Sequence, residues 1–175
     1  FVYFLVNKYL EVITVKEKFN KIKYKSIKDL KFPFESYRKG QRELAVNCFN
    51  SIKQQGILFA QAPTGIGKTI STIFPSLKSI GEGRGQKIIY LTAKTITRTV
   101  AEEAYLKLYK EGLEFKVVTI TAKEKICLND EVKCNPDDCI YAKDYFTKIN
   151  DVIISLIKEN NKFFGKDIIE YAKRY

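Results

Sequence analysis

The chain has 175 residues, of which 45% are hydrophobic and 13% aromatic, so its composition excludes a disordered chain and fits a globular protein. No apolar run approaches the length of a membrane span, and the opening residues 1–6 are too short to span and lack the basic leader of a signal peptide. The net charge of +11 indicates polyanionic partners, although we interpret the eight lysines and three acids of residues 1–31 as a solvated helix face.

The elements predicted from hydrophobic periodicity alternate between helix and strand. Pro33 predicts a break between the first two helices, and Pro75 is predicted to kink or end the third. The predicted helices are residues 3–22, 38–54, 68–79, 95–109, 149–159 and 166–174, and the predicted strands are 57–60, 87–92 and 115–120.

The alternation through residue 122 predicts an α/β fold with a parallel sheet. Beyond Ala122 the pattern changes to cysteines among Asn, Asp and Pro, followed by two helices, which indicates an insertion that leaves the α/β core. The glycines of residues 81–85 are predicted to form a surface turn rather than a second phosphate loop, because a strand and not a helix follows them.

Residues 62–69, Ala-Pro-Thr-Gly-Ile-Gly-Lys-Thr, form the most specific motif of the chain. They lie between a predicted strand and a predicted helix, which is the context that a phosphate-binding loop requires. Gly65 and Gly67 allow backbone N–H groups to converge on an anion, Lys68 can reach the β and γ phosphates, and the Thr69 hydroxyl can bind Mg²⁺. Ala62 replaces the first glycine of the strict pattern, and the alternative interpretation is a plain glycine turn.

The chain has four cysteines. A large core and the lack of a targeting signal indicate a reducing compartment, where clustered cysteines more often have a metal or redox function than form disulfides. Cys127, Cys134 and Cys139 are clustered with spacings of six and four residues, whereas Cys48 is expected in the core as a small apolar residue. Zinc and iron–sulfur sites need four ligands, so this spacing alone leaves metal binding and unligated thiols equally open.

Four segments follow one another along the chain: residues 37–41, residues 61–69, residues 90–98 and the cysteine cluster. Their order resembles the first part of superfamily 2 helicases of the XPD/DinG type, most closely the bacterial DinG-like ATP-dependent helicases. The resemblance spans residues 32–175 and implies a RecA-like P-loop NTPase core, incomplete in this chain. It divides the chain into an N-terminal helical linker (1–31), the first half of motor domain 1 (32–122) and a partial iron–sulfur domain (123–175).

The resemblance also implies roles for individual residues. It implies ATP binding by Arg38, Gln41, Thr64, Gly65, Ile66, Gly67, Lys68 and Thr69, with Arg38 and Gln41 at the adenine, Lys68 and Thr69 catalytic, and Thr69 on Mg²⁺. It implies contacts to single-stranded or forked DNA by Thr92, Lys94, Thr95 and Arg98. It implies a [4Fe–4S] cluster held by Cys127, Cys134, Cys139 and a fourth cysteine beyond Tyr175.

The chain departs from that pattern in ways that shape the expected activity. It contains no Met, so we expect a piece of a longer protein, and it lacks an acidic pair after an apolar strand and a second motor domain. We therefore expect the parent to be an ATP-dependent DNA helicase in the cytoplasm of a bacterium, and a monomer. The chain alone is expected not to hydrolyse ATP appreciably and to carry an incomplete cluster or none.

Two other function classes compete with this interpretation. A P-loop kinase would explain residues 62–69 but neither the segment 37–41 nor the cysteines. A nucleic-acid-binding or redox-sensing module, in which ATP is only structural, would explain the cysteines without a motor.

Overall fold

The computed structural model describes residues 2–159 and 162–174, with the backbone alone at Thr95. The chain divides into two compact units, one of residues 17–114 and the other of residues 1–16 with 115–175. The helices are α1 (Val2–Asp29), α2 (Gln41–Lys53), α3 (Lys68–Gly81), α4 (Thr95–Lys110), α5 (Tyr145–Glu159) and α6 (Gly165–Ala172), with a short 3₁₀ helix at Lys123–Lys125; the strands are β1 (Val117–Val118) and β2 (Lys162–Phe163).

The core of the unit 17–114 lies between helices. Helix α3 packs extensively against α2 and less extensively against α4. The end of α1 completes this core, because Ile27 is fully buried and lies so close to Gly81 that a Cβ there would be 2.7 Å from Ile27 Cγ2. The apolar side chains buried in this unit are Ile27, Leu30, Leu44, Ala45, Ile70, Leu77, Ile80, Ala104, Tyr105, Leu108 and Leu113.

The six predicted helices are present, with shifted ends. Helix α1 continues to Asp29, seven residues past its predicted end at residue 22. Helix α3 does not end at Pro75 but continues to Gly81, and the Ser79 hydroxyl donates to the Pro75 carbonyl at 2.9 Å. None of the helices in the described ranges is long and apolar enough to cross a bilayer.

The predicted strands differ most from the structure. The segments 57–60 and 87–92 are irregular, and their apolar side chains face solvent, with Phe59 93% and Leu91 88% exposed. A strand forms only where a neighbour supplies hydrogen-bond partners, and the described part of this unit supplies none. The α/β core that the sequence predicts is therefore neither built nor excluded by these residues.

The third predicted strand, 115–120, belongs to the other unit and is shortened to β1. It pairs in parallel with β2, with Val117 opposite Lys162 and Val118 opposite Phe163. Ion pairs join the start of α1 to α5 in the same unit, between Lys8 and Asp151 at 3.0 Å and between Lys158 and Glu11.

Candidate nucleotide-binding site

The loop of residues 62–69 leads into the first residue of α3. Gly65 and Gly67 have φ values of 80° and 86°, in the left-handed region that glycine adopts at little cost. Gly67 precedes the first helical residue of α3, no side chain caps this end, and the first turn contains no acidic residue. Free N–H groups and the positive end of the helix dipole therefore meet at the loop, which suits an anion.

Lys68 turns back over this loop. Its ammonium donates to the carbonyl of Ala62 at 2.9 Å and to that of Pro63 at 2.7 Å. The lysine therefore lies at the loop from which a phosphate would be held. A phosphate that entered would exchange these neutral carbonyl partners for charged oxygens, which accept stronger hydrogen bonds from an ammonium.

Thr69 is half-buried at the start of α3, and its hydroxyl accepts a hydrogen bond from the Tyr90 hydroxyl at 3.3 Å. This contact brings the segment 87–92 to the loop. Sequence reasoning missed Tyr90, because the two residues meet through space. The apolar run around Tyr90 carried no signal that its hydroxyl would reach Thr69.

Two contacts join the turn before α2 to the loop of residues 62–69. The Arg38 guanidinium donates to the Gly65 carbonyl. Gly40, with φ of 75°, lies against Ile66, since a Cβ at Gly40 would be 3.1 Å from the Ile66 Cδ1 atom. Thr64 stays exposed between these contacts. The turn thus fixes the shape of the loop from one side, a role that the sequence did not indicate for Gly40.

Gln41 is the first residue of α2 and is only 3% exposed. Its side-chain oxygen accepts from the Arg38 N–H at 2.9 Å, and its side-chain nitrogen packs against Gly67. The structure therefore places Arg38 and Gln41 at the loop itself. Their assignment to the adenine stays a prediction.

An aromatic cluster lies next to this turn. Tyr37 stacks on Phe32 with ring centres 3.9 Å apart and 18° between the ring planes. The ring centre of Phe32 also lies 5.5 Å from that of Phe74 on α3, in an edge-on contact, and 5.6 Å from that of Phe34, in a tilted contact. These rings hold the segment before Arg38 against α3, and so support the turn that contacts the loop.

The residues predicted to contact DNA begin at the amino end of α4. Lys94 precedes the first helical residue and is exposed, whereas Thr92 is half-buried. Arg98 is half-buried, and its Nε atom lies 3.8 Å from Oε1 of Glu102, one turn further along α4. The backbone of Thr95 begins α4, but its side chain lies outside what the structure describes.

The three clustered cysteines line one open cavity of about 690 Å³ in the unit of residues 1–16 and 115–175. Cys139 is buried, and its sulfur accepts from the Asn129 amide at 3.1 Å; Cys127 is half-buried and Cys134 exposed. Among residues 2–159 and 162–174 no three His, Cys, Asp or Glu side chains come close enough to hold a metal ion. The thiols therefore share a cavity but do not form a ligand set in this arrangement.

Cys48 lies in the other unit, on α2, and its sulfur donates to the Thr72 carbonyl of α3 at 3.7 Å. Burial raises the pKa of this thiol, and a contact with the Ser76 hydroxyl acts in the opposite direction. A thiol with a raised pKa is a poor nucleophile and metal ligand. Cys48 is half-buried where α2 meets α3, so it lies at the edge of the core and not within it as predicted.

Comparisons with known proteins extend the description of this site. The chain is 30% identical over 106 residues to a protein of Methanocaldococcus jannaschii named "Probable ATP-dependent helicase". The similarity covers 60% of this chain and only 16% of the archaeal protein. The chain therefore spans about a sixth of the length of the relative that it matches. No family model matches the chain. No solved structure matches it either.

Proposed function

We propose that this chain carries the ATP-binding part of an ATP-dependent helicase motor that couples ATP hydrolysis to translocation on single-stranded DNA and to unwinding. The observation that carries the proposal is the loop of residues 62–69, with two left-handed glycines, an uncapped helix end and both Lys68 and Thr69 at that end. The partial similarity to a protein named as a helicase supports the same class of activity.

The chemistry assigned to this site is mainly positioning and charge neutralisation at phosphate. Lys68 would leave the Ala62 and Pro63 carbonyls for the β and γ phosphate oxygens, and Thr69 would hold Mg²⁺, which neutralises charge on the same oxygens. Hydrolysis also needs groups that hold the attacking water. The sequence offers no acidic pair after an apolar strand, so we expect this chain to bind ATP without appreciable turnover.

Single-stranded DNA fits as the partner on electrostatic grounds. The net charge is +11, and Lys94 and Arg98 lie at the amino end of α4, which begins without an acidic residue in its first turn. Cations and a helix amino end both bind phosphates of a nucleic acid backbone without reading its sequence. Tyr90 connects this segment to Thr69, so the two proposed ligands would be bound by neighbouring parts of one unit.

The finer assignment to XPD/DinG-type helicases, with a [4Fe–4S] cluster, is a separate proposal. Motif order and the single cavity shared by Cys127, Cys134 and Cys139 support it. Its test is iron and acid-labile sulfide on the parent protein, extended past Tyr175 and purified without oxygen. About four of each per chain would support the cluster. Zinc, or no metal, would overturn it and leave the nucleotide site unaffected.

The nucleotide site is tested by calorimetric titration of the chain with ATP and excess Mg²⁺. Lys68→Ala removes the ammonium and should weaken binding at least tenfold, because hydrogen bonds to charged groups contribute about 1.5–3 kcal/mol. Lys53→Ala, at the exposed end of α2, removes the same charge away from the loop and should bind like the wild type. If the two variants bind ATP equally well, the assignment of the loop is wrong.

A further inference from the structure

A hydrogen bond joins the side-chain hydroxyls of Tyr90 and Thr69. The Thr69 hydroxyl differs in this respect from the Ser and Thr hydroxyls that follow it in α3. Those hydroxyls donate backwards to helix carbonyls: Ser71 to Gly67 at 2.9 Å, Thr72 to Lys68 at 3.2 Å and to Thr69 at 3.0 Å, Ser76 to Thr72 at 2.7 Å and Ser79 to Pro75 at 2.9 Å. Such back-bonding is the usual use of a Ser or Thr hydroxyl within a helix.

Thr69 has a different environment because it lies at the start of the helix. The residue four positions before it is Gly65, which precedes the helix and whose carbonyl accepts from the Arg38 guanidinium. The Tyr90 hydroxyl instead donates to Thr69 Oγ1 at 3.3 Å.

The direction of this hydrogen bond matters for a metal ligand. A threonine hydroxyl has one proton to donate and two lone pairs. The proton from Tyr90 occupies one lone pair, so the second lone pair stays available for a cation and the Thr69 proton stays available for a phosphate oxygen. A backward bond to a carbonyl would use that proton and turn the oxygen towards the helix.

The exposure of the segment supports a specific role for Tyr90. Ile89 and Leu91 on either side are largely exposed, whereas Tyr90 is 38% exposed. The segment therefore directs the tyrosine towards the loop and leaves its apolar neighbours in solvent.

We infer that Tyr90 is a positioning residue that orients the Thr69 hydroxyl for the divalent cation of a bound Mg²⁺–nucleoside triphosphate. This inference rests on the proposed function, since it presupposes that the loop binds such a nucleotide. Tyr90 acts through Thr69 and touches neither the nucleotide base nor the phosphates in this role. Its loss should therefore weaken the response to Mg²⁺ and spare the metal-independent part of ATP binding.

The test measures the dissociation constant of ATP by calorimetry in excess Mg²⁺ and again in EDTA, and takes the ratio of the two as the Mg²⁺ enhancement. Tyr90→Phe removes only the hydroxyl and should lower this enhancement by about twofold to tenfold, the range of one hydrogen bond, with binding in EDTA unchanged. Tyr24→Phe is the matched control, because Tyr24 is also 38% exposed and lies on α1 of the same unit.

A double-mutant cycle connects the effect to Thr69. Thr69→Val should itself lower the enhancement, and Tyr90→Phe should then add nothing, because the two changes remove the same interaction. Equal weakening by Tyr90→Phe in Mg²⁺ and in EDTA would overturn the inference and make Tyr90 a structural support of the loop. An unchanged enhancement would overturn it as well.

Failure of the proposed function gives a different result. A wild-type chain that bound no ATP in either buffer would overturn the nucleotide site and this inference together. A wild type that binds ATP with a clear Mg²⁺ enhancement, beside a Tyr90→Phe variant that keeps it, would overturn only the role of Tyr90.

Discussion

The side-chain nitrogen of Gln41 lies 2.4 Å from the point that a Cβ atom on Gly67 would occupy. Gly67 is therefore constrained twice, by this contact and by its φ of 86°. Because Gln41 begins α2 and Gly67 precedes α3, the contact ties the start of one helix to the loop that begins the other. The shape of the loop depends on a residue more than twenty positions away in sequence.

Gly67→Ala should destabilise the chain by more than a backbone effect alone. A left-handed φ costs an alanine about 1–2 kcal/mol. The Gln41 amide is the movable end of its side chain and must shift away from the new Cβ, which should add about 0.5–1.5 kcal/mol because that shift disrupts its hydrogen bond from the Arg38 N–H. Gly83→Ala is the matched control, because Gly83 has φ of 79° and open space around its missing Cβ. The measurement is the free energy of unfolding in urea for the three proteins.

A second substitution should restore part of the stability that Gly67→Ala removes. Gln41→Ala in the Gly67→Ala background removes the clashing amide and should recover part of the lost free energy of unfolding. Equal losses for Gly67→Ala and Gly83→Ala would contradict the packing argument. The Gly67→Ala chain should also bind ATP more weakly, since the loop N–H groups would be displaced.

Helices were predictable from this sequence because their signals are local. The apolar spacing of residues 68–79 and the glycine before them predict α3, and the structure begins that helix at Lys68. Its end was predicted at residue 79, two residues before Gly81, but the passage of the helix through Pro75 without a break was not predicted. Pro75 lies among buried Leu77 and Ile80, and packing of this face continues the helix past the proline.

Strands were not predictable in the same way, because a strand depends on partners that its own sequence does not specify. Residues 57–60 and 87–92 have apolar runs that indicate buried strands, yet within the described residues no neighbour pairs with them. In the candidate site, too, some residues were predictable from the sequence and others were not. The motif predicts that Lys68 and Thr69 lie together at the loop, whereas Tyr90 and Gly40 reach it only through the fold.

Leu108, on helix α4, and Phe59, in the irregular segment 57–60, differ in burial, and mutation can test this difference. Leu108 is fully buried in α4, whereas Phe59 is 93% exposed. Leu108→Ala should cost about 2–5 kcal/mol of unfolding free energy, and Phe59→Ala should stay within about 0.5 kcal/mol. Chemical denaturation of both variants checks this. A loss for Phe59→Ala that approached the loss for Leu108→Ala would show that residues 57–60 are packed in solution.

Lys78 joins α3 to the end of α1. Its ammonium donates to the carbonyls of Ile27 at 2.8 Å and Lys28 at 3.0 Å, the last turn of that helix. Burial lowers the pKa of Lys78, and the nearby Asp29 carboxylate acts in the opposite direction. Lys78→Met keeps the apolar stem and should cost about 1–2 kcal/mol, because the helix loses a charged partner for its carbonyl end.

Lys53→Met is the matched control for Lys78→Met. Lys53 also lies in the last turn of a helix, α2, but its side chain is exposed. Its replacement should change the unfolding free energy by less than about 0.5 kcal/mol. If both lysine variants unfold at the same urea concentration, the link between α3 and α1 contributes no stability.

Glu159 and Tyr171 give the unit of residues 1–16 and 115–175 a dependence on pH. The buried Tyr171 hydroxyl donates to the Glu159 carboxylate, and this bond, followed by one from Ser155, holds the pKa of Glu159 below its usual value of 4.5. A carboxyl whose pKa is lowered in the folded state stabilises it above pH 4.5. That contribution is lost as the pH falls through the folded-state pKa, because the proton then binds both states.

Tyr171→Phe should therefore lower the melting temperature at pH 7. The difference in melting temperature between this variant and the wild type should become smaller as the pH falls below 4.5. The measurement is a series of thermal melts from pH 7 to pH 3 for both proteins. The same tyrosine change in a Glu159→Gln background isolates the carboxylate, because that pair cannot titrate and its gap should not vary with pH. A gap between wild type and Tyr171→Phe that stayed constant down to pH 3 would assign the tyrosine's contribution to packing, since a hydrogen bond to the charged carboxylate must weaken when the proton arrives.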